Sequence, residues 1–108
     1  MLQITSTKQG PVAVRWIVAP RWEPSSDKHG VARNDQVYAI LHATYIADLG
    51  PSERGGSIKL YIGPEHAQTD RELEILVVHF TDGREASIFH AMPLGPKIRR
   101  YREEHPHG

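Results

Sequence analysis

The chain has no cysteine among its 108 residues. That removes disulfides and thiolate metal sites from consideration and fits a reducing compartment. It also lacks an apolar run of the ~18 residues a membrane span requires, and its start is not the charged-then-apolar pattern of a secretion signal. No membrane association is therefore expected, and the expected location is the cytoplasm. Net charge is missing too: 13 Lys and Arg balance 13 Asp and Glu. With no global basic field, any attraction for phosphate has to be local. There is no internal repeat and no low-complexity tract. Gly55-Gly56 and Gly63-Pro64 lack the strand-to-helix context of a phosphate-binding loop. Seven histidines are present, yet none forms a His-x-x-x-His pair on an expected helix, so neither a metal nor another cofactor is expected. The nearest approach to a metal site is His79 with His90, which a hairpin could bring face to face.

What the sequence does contain is the material for one α+β domain over residues 1–108. Residues 1–10 read as a loose arm or a short edge strand ending at Gly10-Pro11, residues 11–101 as the core, and residues 102–108 as a tail. Val12 opens VAVRWIV, a β-branched run of strand character. Pro24, Ser25, Ser26 and Asp27 are residues that begin a helical turn, and Gly30 ends one. Asn34 or Asp35 can cap a helix over 35–43, with Val37, Ile40 and Leu41 at helical spacing. IADLGPSERGGS carries turn chemistry and reads as a loop. SIKLYIG, RELEILVVHF and REASIFHAM then read as a three-stranded antiparallel meander, with Asp82-Gly83 as a hairpin turn. Pro96 is well placed at the first position of a terminal helix. The expected architecture is an antiparallel meander with N-terminal helices and a short C-terminal helix on one side of the sheet.

Three short motifs add chemistry to this outline. The first is Lys28-His29-Gly30-Val31, the second Arg71-Glu72-Leu73-Glu74 at the entry to a strand, and the third His90-Ala91-Met92 followed by Lys97, Arg99, Arg100 and Tyr101. In this order and spacing the chain from Trp22 to Tyr101 resembles BrnT-like toxins. The resemblance implies a RelE-like fold and a toxin of a type II toxin–antitoxin pair, which cleaves RNA, blocks translation and is neutralised by a cognate DNA-binding antitoxin. A homodimer or a toxin–antitoxin hetero-oligomer is the implied assembly. Met92 stands where many relatives carry an arginine, which keeps open an alternative: a catalytically inactive member of the same fold acting as a binding or inhibitory protein.

Metal-independent RNA cleavage needs a base for the 2′-hydroxyl, an acid for the leaving oxygen, and cations for the phosphate. His90 and His29 are the candidate proton handlers, because imidazole titrates near neutrality unaided. Arg84 joins them as a candidate catalytic cation, and Lys28, Lys97, Arg99 and Arg100 as candidate RNA-binding residues, since guanidinium groups fork onto phosphate oxygens. Tyr101 could stack a base. Each has a plainer reading. A strand-end histidine is commonly a hydrogen-bonded structural residue, Lys-His-Gly also suits a helix C-terminus, and Arg99 to Glu104 would serve as a solvated helical face. Glu72 and Glu74 alternate with Leu73 and Ile75, so solvent exposure accounts for them, with a general-base role left open.

Overall fold

Alternation of apolar and polar residues builds the sheet, and each strand sends its two sets of side chains to opposite faces. The computed structural model describes residues 20–108. The run of strand character at 12–18 and the arm at 1–10 lie outside them. The described chain begins with β1 (Arg21–Trp22) and a 3-10 turn (Pro24–Asp27). Next come α1 (Arg33–Leu41), β2 (Tyr45–Pro51), β3 (Ser57–Pro64), β4 (Glu72–His79), β5 (Ser87–Pro93) and α2 (Pro96–Glu104). The sheet order is β1-β5-β4-β3-β2, with β1 parallel to β5 and every other pair antiparallel. An α+β class is therefore the right description, but the meander has four strands rather than three.

The additional strand, β2, occupies the segment that reads as a loop. Its Gly50 and Pro51 conceal it, and a bulge between Asp48 and Gly50 accommodates them, as glycine and proline are tolerated at an irregular sheet edge. A second correction concerns the helices, which do not share one side. Ala39 and Ile40 of α1 pack with Tyr61, Leu73, Ile75, Val77, Ile88 and Ala91. Ile98 and Tyr101 of α2 pack with Tyr45, Ala47, Leu60 and Ile62, on the opposite face. Alternation along β3 makes the division plain, with Tyr61 on one face and its neighbours Leu60 and Ile62 on the other.

Close approach of α1 to the sheet depends on Gly63, where a Cβ would fall 2.1 Å from the Ala39 carbonyl oxygen. The helix starts earlier than its polar residues suggest: Ala32 is the N-cap, and neither Asn34 nor Asp35 caps it. Gln36 is buried instead, accepting from the Trp22 indole at 3.1 Å and donating to the Val31 and Ser26 carbonyls. That network fixes the 3-10 turn against α1. At the other end α2 continues through Glu104, three residues beyond Tyr101, and Arg102 forks onto Glu72 at 2.9 and 3.2 Å. The chain end expected to fray is held as well, since the Tyr45 hydroxyl donates to the His105 carbonyl at 2.6 Å.

Candidate functional site

The geometry that matters begins with a register fault in β5. Val77 pairs with Ile88 and Leu76 with His90, so Phe89 is an extra residue, a β-bulge. Ile88 belongs to the core under α1. Past the bulge, His90 stands beside Leu76 on the face that α2 covers. Bulges commonly re-aim a side chain in this way. The carbonyl of Phe89 is taken up by the Ser25 hydroxyl at 2.5 Å, and Glu23 donates its backbone N–H to the Ile88 carbonyl at 2.9 Å. These bonds lay the 3-10 turn along β5. They also deliver Lys28 and His29, with Gly30 in the left-handed region at φ 72° closing the turn.

Two cross-strand neighbours complete the cluster. Glu74 pairs with Met92 on β5 and is only 5% exposed. Its Oε2 accepts from His90 Nε2 at 2.8 Å, and its Oε1 accepts from the backbone N–H of Gly95 at 2.8 Å. Gly95 is the N-cap of α2 and has no side chain to offer, so Glu74 engages that donor from the sheet. A buried carboxylate is costly unless both oxygens find donors, and here both do. The His90 side chain stays 26% exposed. The ring of His29 meets it edge-on, with 5.7 Å between centroids.

The expected site residues divide accordingly. His29 and His90 come together, with Lys28 next in chain and exposed. Lys97, Arg99 and Arg100 are exposed on α2, whose first turn follows directly on the Gly95–Glu74 bond. Tyr101 packs toward the sheet and stacks on His105 at 4.1 Å between centroids. Arg84 lies apart, in the β4–β5 turn. It pairs with Asp82 at 2.9 Å, covers the Phe80 ring at 3.9 Å and donates to the Arg54 carbonyl. The Asp82 carboxyl is held below its ordinary range, chiefly by the Arg84 backbone N–H and then by the guanidinium.

His79 and His90 do not face one another. His79 pairs across the strands with Ser57 and shares a 2.9 Å hydrogen bond with the Tyr61 hydroxyl, on the α1 side of the sheet. Burial holds the His79 imidazole below its ordinary range and pushes the Tyr61 hydroxyl up to about 12. Among the described residues no group of three or more His, Cys, Asp or Glu is arranged to hold a metal ion.

Compared with family models, curated proteins and solved structures, the chain matches none. Function therefore has to be argued from the cluster itself. The residue that sequence reasoning undervalued is Glu74, whose place on a strand suggested solvent. Two signals pointed the other way: a Gly-Pro helix start just after β5, and leucine and isoleucine at 60 and 62 needing cover on that face. Among the described residues, no helix is long and apolar enough to cross a membrane.

Proposed function

We propose that this chain is an RNA-cleaving toxin of a type II toxin–antitoxin pair, of RelE-like fold and BrnT-like ancestry, acting in the cytoplasm on RNA to inhibit translation. The observation that carries the reading is the Glu74–His90 hydrogen bond with His29 at its open side. A base held by a buried carboxylate is the arrangement general-base catalysis uses to fix a tautomer and to stabilise the charge the imidazole acquires. With Nε2–H donated to Glu74, the lone pair of His90 lies on Nδ1. There it takes the proton of a ribose 2′-hydroxyl; the 2′-oxygen attacks phosphorus, the bond from phosphorus to the 5′-oxygen breaks, and His29 as imidazolium protonates the leaving oxygen. The products are a 2′,3′-cyclic phosphate and a 5′-hydroxyl, with no outside reactant needed.

Lys28, Lys97, Arg99 and Arg100 supply cations for neighbouring phosphates, while Arg84, engaged at the hairpin turn, is assigned to the periphery. An antitoxin partner is consistent with apolar side chains left in solvent, Leu41 at the end of α1 at 49% exposure and Ile46 and Leu49 on the edge strand β2 at 50% and 37%.

A second reading, an inactive binding protein of the same fold, is favoured by one fact: Glu74 already has a structural duty in tying Gly95 to β4. Cleavage of a labelled RNA by the purified protein separates the two. The nuclease reading expects a 2′,3′-cyclic phosphate product, no cleavage where the 2′-hydroxyl is replaced by hydrogen, and loss of both cleavage and growth inhibition in His90→Ala. Intact RNA at every protein concentration, with unimpaired growth of the expressing host, would leave the binding reading.

A further inference from the structure

Phe89 has no evident folding role to match its size. Among the described residues, its half-buried ring joins neither core cluster, although it is the extra residue of the bulge and precedes His90 directly. It follows Ile88, which is buried on the α1 side, so alternation sends Phe89 to the same side of the sheet as His90. What lies over the ring is a cation: the Arg54 guanidinium, 5.9 Å from the ring centroid. Arg54 is anchored through an ion pair with Glu23, which also accepts from the Ser87 hydroxyl at 2.6 Å. Half of the Arg54 side chain nevertheless remains in solvent, at 48% exposure.

An aromatic ring partly open to water, flanked by a guanidinium and adjoining an acid–base pair, suits a planar, electron-rich ligand whose backbone is anionic. Nucleobases meet that description, and single-stranded nucleic acid is commonly held by aromatic stacking with arginine beside it. Exposed Lys28, next to His29, and exposed Lys97, Arg99 and Arg100 of α2 supply the cations a phosphate backbone requires locally in a chain of zero net charge. We propose that Phe89 and Arg54 form a nucleobase subsite, in which a base flanking the scissile phosphate stacks on Phe89 while Arg54 contacts the base face or its phosphate. The proposal rests on the reading of the Glu74–His90–His29 cluster as a site for RNA. It predicts a preference for unpaired RNA, whose bases are free to leave the stack.

The test uses the full chain and a short 2′-O-methyl oligonucleotide, which cannot be cleaved, carrying 2-aminopurine as its fluorescent base. Binding is expected to change the 2-aminopurine emission as that base stacks. Phe89→Leu should weaken affinity by about 10-fold and abolish the emission change, since stacking of one base on an aromatic side chain has that order of effect. Phe89→Trp should retain both, which separates loss of stacking from loss of fold. An affinity and emission change that survive Phe89→Leu, or failure of the unaltered protein to bind, overturn the subsite. If Phe89-dependent stacking is found and RNA is nevertheless never cleaved, the acid–base reading fails while the subsite stands.

Discussion

The two faces of the sheet are lined by the same strands, yet they treat their histidines in opposite ways. On the α1 side, His79 meets a tyrosine hydroxyl, and burial disfavours charge on both partners. On the α2 side, His90 meets a carboxylate, keeps a quarter of its surface in water and lies against a second imidazole. Burial beside a neutral partner holds the His79 imidazole below its ordinary range, whereas a carboxylate gives the His90 ring a fixed orientation. A single inserted residue, Phe89, separates the two outcomes, because without the bulge residue 90 would have the opposite orientation. Both faces carry core side chains, but the α2 face adds the Glu74–His90 hydrogen bond with His29 beside it.

The contrast is tested most severely by His90→Ala. Removing a positioned general base typically lowers rates by 10²- to 10⁴-fold, so on the nuclease reading cleavage should fall by roughly 10³, about 4 kcal/mol in barrier, while stability drops by only about 1–3 kcal/mol because the buried Glu74 Oε2 loses its donor. Ile75→Ala is the converse experiment. Ile75 is fully buried in the layer under α1, and truncating such a side chain costs about 3 kcal/mol of stability. Cleavage per folded molecule should stay as it was. If Ile75→Ala slows cleavage at full folding, or His90→Ala unfolds the chain, the division of labour between the faces is wrong.

Glu74→Gln refines the same comparison. An amide can still accept from Gly95 N–H, so the junction between β5 and α2 should hold. Its NH₂ group would then point at His90, where it can only donate, and the imidazole would have to present a lone pair at Nε2 instead of Nδ1. Cleavage should drop by about 10²-fold with stability preserved, the signature of a wrong tautomer. Equal activity in Glu74→Gln and the unaltered chain would reduce the Glu74–His90 bond to a structural contact.

How much of this was legible beforehand follows from what each element depends on. β3, β4, β5 and α2 declare themselves through alternation, a turn sequence at Asp82-Gly83 and a proline at a helix start, all of them local signals. β2 did not, because the glycine and proline that suggest a loop are absorbed by an edge bulge whose existence depends on pairing with β3. The side on which α2 lies is likewise set by tertiary cover for Leu60 and Ile62. His29 and His90 were readable as candidates by residue type, but their meeting was not, since it requires the Phe89 bulge and the Ser25 bond that anchors the 3-10 turn. Glu74 was misread for the same reason: a two-residue period gives its face, whereas burial depends on what folds over that face.

The gentlest test falls on the α1 side and uses pH. Burial lowers the pKa of His79, Lys59 adds to the effect and Asp48 opposes it, so the folded chain resists a proton that the unfolded chain accepts. Above the ordinary value of 6.5 both states leave this histidine neutral, and its contribution to stability is fully present. As the pH drops below that value the unfolded state gains the proton first, so stability is lost until the pH passes the lower folded-state pKa, beneath which the loss levels off. Urea midpoints measured on either side of about pH 6.5 should therefore fall on acidification in the unaltered chain and fall less in His79→Gln. Equal acid sensitivity in His79→Gln and the unaltered chain would show that burial of this imidazole does not set the pH dependence of stability.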